Sequence, residues 1–180
     1  MENIIILNGS PRAAKSNSKH YAAIFTESCG GNTAYFNILK TNHLALCEKL
    51  DGFSDVLFVF PLYADGIPVT LLNFLKALEQ NPPKNKPVVS VLINCGFLEY
   101  RQNDTAVLMM ELFCKQNGYR FGSVLKIGSG EAILGTPFKR LVTRKIKRFA
   151  RSIAQKKYCT LHTAMPLTRG MFVRASTAYW

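Results

Sequence analysis

The stretch IIILNGSPRAAKSNSKHY, residues 4–21, changes character abruptly near its middle. It begins as an apolar, β-branched run that is too short for a core helix, so residues 3–8 predict a strand buried on both faces. The run ends at Gly9, and small hydroxyl and amide side chains follow together with Arg12. A loop of this composition between a strand and a helix is typical of an anion-binding site. We therefore expect this loop to bind a phosphate group.

Apolar runs and amphipathic segments alternate along the rest of the chain. Counting the first run, they predict five strands, at 3–8, 33–38, 54–61, 87–94 and 121–128. Helices are predicted between and after these strands, at 17–28, 43–50, 69–80, 103–117 and 138–156. Strict alternation of strands and helices is typical of a parallel sheet that is covered by helices on both faces. The predicted fold class is therefore α/β.

Length and composition limit the domain organisation. The 180 residues are 48% hydrophobic, which is enough for one packed domain, and we place this domain at residues 1–157. Residues 158–180 form a C-terminal tail that contains aromatic residues as far as Tyr179 and Trp180. Disordered tails are usually poorer in aromatic residues, so we expect this tail to pack on the domain or on a second subunit.

The sequence shows no targeting signal and no metal motif. Its first residues contain no basic leader, long apolar segment or small-residue cleavage site, so we expect a cytoplasmic protein without a membrane span. The five cysteines form no C-x-x-C pair and have no metal-ligand spacing with the three histidines. We expect reduced thiols and no metal site.

The first loop carries several groups that suit a dianionic phosphate monoester. Gly9 allows a tight turn, Arg12 has a permanent positive charge, and Asn17 can cap the following helix. Hydroxyl groups come from Ser10, Ser16 and Ser18. The loop has neither the G-x-G-x-x-G pattern of dinucleotide sites nor the G-x-x-x-x-G-K-[ST] pattern of nucleotide-hydrolysing P-loops. A plain helix cap beside a chance arginine remains the alternative interpretation.

Two further loops follow predicted strands. In PLYADGIP, residues 61–68, the prolines stiffen the chain, Tyr63 offers a flat apolar face, and the N–H groups of residues 64–66 can meet ring heteroatoms. A rigid connection with a surface tyrosine explains the same residues. The third loop contains NCGF, residues 94–97. Because ligands of doubly wound sheets bind outside the carboxyl ends of the strands, we expect these loops to border one ligand.

The three loops resemble those of the flavodoxin-like NAD(P)H-dependent FMN reductases and quinone reductases. NGSPRAAKSNS resembles the family's phosphate loop, in which Gly-Ser-Pro-Arg is followed by Ser/Gly-Asn-Ser/Thr. Pro-Leu-Tyr resembles the segment that covers the flavin ring, and Asn94, Gly96 and Phe97 match positions on its pyrimidine side, with Cys95 as a neighbour. The resemblance extends over about residues 3–135. It implies a cofactor site made of Ser10, Arg12, Ser16, Asn17, Ser18, Pro61, Leu62, Tyr63, Ala64, Asp65, Gly66, Asn94, Cys95, Gly96 and Phe97.

The resemblance also implies a fold and an activity. The implied fold is a flavodoxin-like three-layer sandwich with a five-stranded parallel sheet in the order 2-1-3-4-5. The implied activity is the transfer of electrons from NADH or NADPH through bound FMN to a small acceptor, such as a quinone, a flavin, or a nitro or azo compound. Because the flavin carries out the redox chemistry, we expect no catalytic side chain. Related enzymes often complete the active site with a second subunit, which implies a homodimer or a higher homo-oligomer.

Two residues near these loops allow more than one interpretation. Cys95 could be a nucleophile, but no histidine lies near it in the sequence, and a small buried thiol is the more frequent outcome. Glu131 belongs to GSGEAILG, the loop after the fifth predicted strand. This loop, with Gly130, either approaches the cofactor or a second subunit, or it is a plain link from strand to helix.

The last predicted helix is strongly basic. Residues 139–157 contain nine basic and no acidic residues, and so account for nine of the twelve net positive charges of the chain. A solvated outer face is the simplest interpretation, and attraction to the phosphates of NAD(P)H, to nucleic acid or to an anionic membrane are the alternatives. No nucleic-acid recognition motif accompanies the helix, so we expect a small-molecule acceptor as partner and no nucleic acid.

Two functions other than a reductase remain open. One is an electron-transfer flavoprotein without nicotinamide activity of its own, although such carriers generally present an acidic face and this chain is basic. The other is a basic module that binds nucleic acid or a membrane surface on a flavodoxin scaffold.

Overall fold

The computed structural model describes residues 3–179, so Met1, Glu2 and Trp180 lie outside the described part of the chain. Its strands are β1 (Asn3–Asn8), β2 (Asn32–Asn37), β3 (Asp55–Pro61), β4 (Val88–Asn94), β5 (Phe121–Ile127) and β6 (Thr160–Thr163). Its α-helices are α1 (Asn17–Cys29), α2 (His43–Lys49), α3 (Val69–Gln80), α4 (Asp104–Gln116), α5 (Lys139–Ala154) and α6 (Arg169–Tyr179). The ten predicted elements are all present, with ends that differ by two residues at most.

The strands form one parallel sheet in the order β2-β1-β3-β4-β5-β6. The predicted order is confirmed for the first five strands, but the predicted number of five is wrong. The sixth strand pairs with β5 at the edge of the sheet, where Leu161 lies opposite Leu125. Only alternate residues of β6 are buried, so the strand has no continuous apolar run by which the sequence would reveal it.

The sheet is buried on both faces, as a parallel sheet requires. Along β1 the side chains alternate between two hydrophobic clusters: Ile5 and Leu7 belong to the cluster on the side of α2, α3 and α4. Ile4 and Ile6 belong to the other cluster, on the side of α1 and α5. Core packing on both faces of the sheet therefore fixes the position of β1 and of its carboxyl end.

Helices α1 and α5 pack against each other on one face of the sheet. The rings of Phe25 and Phe149 meet edge to face with centroids 5.8 Å apart, and both side chains are fully buried. In α5 the buried apolar residues recur every three or four positions and face this core, whereas Leu141 is exposed. Across residues 3–179, no helix has the length and apolar character needed to cross a membrane.

A charge placed on the inner side of β6 tests the sixth strand. Leu161 is buried and its neighbour Thr160 is exposed, so Leu161→Asp should lower the free energy of unfolding by about 2–4 kcal/mol, while Thr160→Asp should change it by less than about 1 kcal/mol. Guanidinium denaturation followed by circular dichroism measures both changes in the free energy of unfolding. Equal effects of the two substitutions would contradict the assigned strand.

Candidate functional site

A cleft of about 210 Å³ lies where the predicted loops meet. It is lined by Ser10, Pro11, Arg12, Lys15, Ser16, Asn17, Ser18, Pro61, Leu62, Tyr63, Asn94 and Glu131. Nine of the fifteen predicted site residues are therefore brought together. The six that do not line this cleft are Ala64, Asp65, Gly66, Cys95, Gly96 and Phe97. All six belong to the second and third loops, and Cys95 is buried beneath the third.

The first loop is organised by the buried amide of Asn8, the last residue of β1. Its Oδ1 accepts the N–H of Ser10 at 3.0 Å. Its Nδ2 lies within donating distance of the carbonyl of Ala13 at 3.1 Å, the hydroxyl of Ser16 at 3.2 Å and the hydroxyl of Tyr35 at 2.9 Å. Asn8 thus connects the start of the loop, its end and the neighbouring strand β2. Burial raises the pKa of Tyr35, and the hydrogen bond with Asn8 acts in the opposite direction.

The helix cap at the end of this loop is Ser16, and not Asn17 as the sequence suggested. The Ser16 hydroxyl donates to the carbonyl of Ala13 at 2.7 Å and accepts the N–H of Lys19 at 3.2 Å. Its only proton is therefore used within the loop. Asn17 is the first helical residue, and its amide donates to the carbonyl of Glu131 at 3.3 Å. Both residues shape the cleft, by closing the loop and by joining it to the segment after β5.

The remaining polar groups of the first loop line the cleft. The hydroxyls of Ser10 and Ser18 accept hydrogen bonds from Arg12 N–H at 3.3 Å and from Asn94 Nδ2 at 3.3 Å, and each keeps a proton to donate. The first turn of α1 adds N–H groups without helical partners and the positive end of the helix dipole. Arg12 and Lys15 supply two positive charges to the cleft wall.

The second loop is a tight hairpin. Tyr63 and Gly66 exchange two backbone hydrogen bonds of 3.0 Å, and Ala64 and Asp65 between them both have positive φ, at 45° and 57°. Two residues in the left-handed region form the turn that suits a two-residue hairpin, at an energetic cost for side chains other than glycine. The N–H of Gly66 is engaged within the hairpin, so it cannot meet a ring heteroatom. The hairpin presents Tyr63, which is 54% exposed, at the mouth of the cleft.

Asn94, the last residue of β4, anchors the third loop. It is buried, and its Nδ2 donates towards Ser18 Oγ at 3.3 Å and the carbonyl of Phe60 at 3.2 Å. A Cβ at Gly130 would lie 2.7 Å from the Cβ of Asn94, so only glycine permits this close approach. Gly130 also donates its N–H to the carbonyl of Cys95 at 2.7 Å. Asn94 therefore joins β3, α1 and the segment after β5 behind the cleft.

Cys95 lies in the protein interior, and Phe97 lies at the surface. The thiol of Cys95 is 3% exposed, and Asn103 Nδ2 lies 3.4 Å from its sulfur. Burial raises the pKa of Cys95 to about 11, although the hydrogen bonds with Phe97 and Asn103 oppose the shift. The thiol is therefore neutral near pH 7, which argues against a nucleophile. Phe97 is 52% exposed, and a Cβ at Gly96 would lie 3.6 Å from the carboxyl carbon of Glu131.

Sequence reasoning missed Asn8 and Lys15 as site residues and left the role of Glu131 open. Asn8 had a detectable signal, because a polar side chain at the end of a fully apolar run needs buried partners. Lys15 belongs to the spacer of the first loop, where the sequence gives it no role of its own. Glu131 lies 114 residues after Asn17, so its position in the cleft depends on the tertiary structure. Within the described range 3–179, no group of three or more His, Cys, Asp or Glu side chains is placed to hold a metal ion.

Comparisons with known proteins find likeness in structure and not in sequence. No family model matches the chain, and no curated protein matches it. An NAD(P)H:quinone oxidoreductase from Methanothermobacter marburgensis superposes with a TM-score of 0.68 at 13% identity, covering 84% of this chain and 95% of that one. An azoreductase from Bacillus anthracis str. Sterne gives 0.61 at 15% identity, covering 87% and 100%. The Streptococcus pneumonia TIGR4 flavodoxin gives 0.62 at 14% identity, covering 87% and 99%.

The fold is flavodoxin-like. At these identities the likeness establishes the fold, and the matched structures include reductases of the kind that the first loop resembles. In a flavodoxin-like sheet the order of strands reverses between β1 and β3, and ligands bind outside the carboxyl ends of the strands at this point. The first loop follows β1, and Pro61 to Tyr63 follow β3, so the cleft lies at this reversal.

The anchoring role of Asn8 predicts a loss of stability when its amide is removed. Asn8→Leu leaves buried acceptors without a donor and should lower the free energy of unfolding by about 2–3 kcal/mol. The matched control is Asn32→Leu, because the amide of Asn32 donates to Asn3 at the exposed edge of the same strand pair, and its loss should cost less than about 0.5 kcal/mol. Chemical denaturation measures both; an equal loss in the two variants would refute the anchor.

The raised pKa of Cys95 predicts slow alkylation. At about pH 8 roughly one Cys95 thiol in a thousand is ionised in the folded protein, against about a quarter in an unfolded chain. Iodoacetamide should therefore modify Cys95 at least 100-fold more slowly in the native protein than in concentrated guanidinium, as measured by peptide mass spectrometry. The half-buried Cys159 serves as the internal comparison. Rapid native labelling of Cys95 would reopen the nucleophile interpretation.

Proposed function

We propose that the cleft binds FMN and that the chain is an NAD(P)H-dependent oxidoreductase, which passes electrons through bound FMN to a small acceptor such as a quinone, a flavin, or a nitro or azo compound. One observation carries the proposal: residues from three loops that resemble FMN-reductase loops line one cleft at the strand reversal of a flavodoxin-like sheet. The likeness to solved structures of a quinone oxidoreductase and an azoreductase supports it.

The donor set of the first loop fits the phosphate of FMN. Arg12 and Lys15 balance the two charges of a phosphate monoester, and Ser10 and Ser18 offer hydroxyl protons. The start of α1 favours the same anion through its N–H groups and dipole. Ser16 acts differently from the other serines, because its hydroxyl donates its proton to the carbonyl of Ala13 and so stabilises the conformation of the loop. The phosphate is the part of the cofactor for which this chain has the most specific contacts.

The outer part of the cleft fits a flat ring. At about 210 Å³ the cleft is smaller than the 300–1,000 Å³ of typical ligand pockets, so the ring of FMN would lie at its open mouth. Tyr63 lines the cleft and is exposed, so it offers an apolar face to an isoalloxazine, and Phe97 is exposed on the third loop. Glu131 lies between the first and third loops. Its carboxylate would accept hydrogen bonds from the hydroxyl groups of the ribityl chain, which joins the phosphate of FMN to its ring. This carboxylate is the one anionic group among the residues that line the cleft.

In this arrangement the cofactor and the protein have different roles. Bound FMN supplies the redox chemistry, since a flavin accepts hydride from a nicotinamide and gives electrons to an acceptor. The protein holds the phosphate, keeps the second loop rigid through the Tyr63–Gly66 hairpin, and leaves the mouth open to the two substrates in turn. Neither Cys95 nor any other side chain is assigned as an acid, a base or a nucleophile.

The proposal predicts a yellow protein whose colour depends on Arg12. Wild-type protein incubated with FMN should show flavin absorption bands after gel filtration, and Arg12→Ala should bind FMN about 10- to 100-fold more weakly, because a charge-assisted contact with the phosphate is lost. Lys84→Ala removes an exposed positive charge between α3 and β4, at the amino ends of the strands and so at the opposite edge of the sheet, and this variant should bind FMN as the wild type does. A wild-type protein that cannot be loaded with FMN would sink the proposal.

The activity is then tested on the loaded protein. Oxidation of NADH or NADPH in the presence of a quinone distinguishes the reductase from an electron-transfer flavoprotein, which binds FMN but does not turn over a nicotinamide. FMN binding without any such turnover would therefore favour the carrier.

A further inference from the structure

The positive charge of this chain is concentrated at its C-terminal end. Glu131 is the last acidic residue of the sequence, and residues 132–180 contain eleven lysines and arginines. The first 131 residues are nearly neutral, with twelve basic and eleven acidic residues. A solvated protein surface normally mixes both signs, so a segment of this length with one sign needs a separate explanation.

Helix α5 gathers most of these charges on one exposed face. Its apolar side, which includes Val142, Ile146 and Phe149, is fully buried against the sheet and α1. Arg140, Arg144 and Arg148 recur every four residues on the outer side, so successive guanidinium groups leave the helix about 6 Å apart. The helix cannot turn over to hide these charges, because its inner side is part of the core.

Two depressions flank this row of charges. One of about 520 Å³ is lined by Thr136, Pro137, Lys139, Arg140, Thr143, Arg144 and Lys147. The other, of about 600 Å³, is lined by Arg144, Lys147, Arg148, Arg151, Ser152, Gln155, Lys157 and Cys159. They share Arg144 and Lys147 and so form one continuous surface along the helix, which we term the α5 basic surface. Seven cations and no carboxylate line it.

The character of the α5 basic surface favours a regular polyanion over other anionic partners. Interfacial membrane helices insert an apolar side into the lipid, but the apolar side of α5 is held in the core. Protein interfaces combine such arginines with buried aromatic anchors, and no aromatic residue is among those that line the surface. Single-stranded nucleic acids need aromatic side chains on which bases stack, which are also missing from this lining. A double-helical phosphate backbone needs only spaced cations and grooves.

We propose that the α5 basic surface binds the phosphate backbone of double-stranded nucleic acid without reading its sequence. The absence of a recognition motif, which argued against a nucleic-acid partner, does not bear on this mode, because contacts to phosphates carry no sequence information. The surface lies along α5 and shares no lining residue with the cleft, so this binding is independent of the proposed FMN site.

Fluorescence anisotropy with a labelled DNA duplex of about 24 base pairs and arbitrary sequence tests the proposal. If roughly six of the seven cations meet phosphates, affinity should fall about 10³-fold between about 50 and 200 mM salt. The variant Arg144→Gln/Lys147→Gln/Arg148→Gln/Arg151→Gln should reduce the slope of log K against log salt by about 3 to 4. Glutamine keeps good helix propensity, and thermal melting verifies that the variant is folded.

A variant of equal charge provides the control. Lys40→Gln/Lys76→Gln/Lys84→Gln/Lys115→Gln removes four exposed lysines from other elements and the same total charge. It should retain the wild-type slope to within about one unit. An equal loss in the two variants would mean that net charge alone attracts the duplex, and it would overturn the proposal. So would the absence of duplex binding at about 50 mM salt, including the case in which α5 instead binds phosphatidylserine vesicles in a sedimentation assay.

Discussion

The hydrogen bonds of one buried amide, that of Asn8, shape the site. Asn8 ends a strand whose four apolar side chains are divided between the two hydrophobic clusters, so its backbone position is set by the core. A buried amide must find partners, and Asn8 finds them in the first loop and in Tyr35 of the adjacent strand. The conformation of the loop is therefore a consequence of core packing. A donor set held in this way is available to an anion without further ordering.

A second buried amide repeats this arrangement two strands away. Asn94 ends β4 as Asn8 ends β1, and its contacts reach the carbonyl of Phe60 and the hydroxyl of Ser18. Leu62 N–H donates to the carbonyl of Asn94 at 2.7 Å, so the second loop is tied to the same point. The two asparagines thus hold the inner wall of the cleft, while the hairpin presents Tyr63 at its mouth.

Sequence patterns predicted the sheet well because its strands are buried on both faces. A strand such as residues 54–61 can be recognised from its own residues, because nearly all of them are apolar. Thr160–Thr163 lacks this property: half of its side chains face solvent, and the strand forms because β5 offers an unpaired edge. The residues that line the cleft were predicted in part. Residues within the first loop could be named from composition, whereas Ser16 and Asn17 exchanged roles because a cap depends on backbone geometry.

The sequence by itself determined the alternation of strands and helices, the hydroxyl-rich and basic composition of the first loop, the prolines of the second loop and the concentration of charge near the C-terminus. Each of these depends on neighbouring residues in the chain. Tertiary structure alone decided that Asn8 holds the loop, that Glu131 enters the cleft, that Cys95 is buried, and that the cations of α5 face outward in one row. These features arise between residues far apart in sequence, and their energies exist only once the core has brought the segments together.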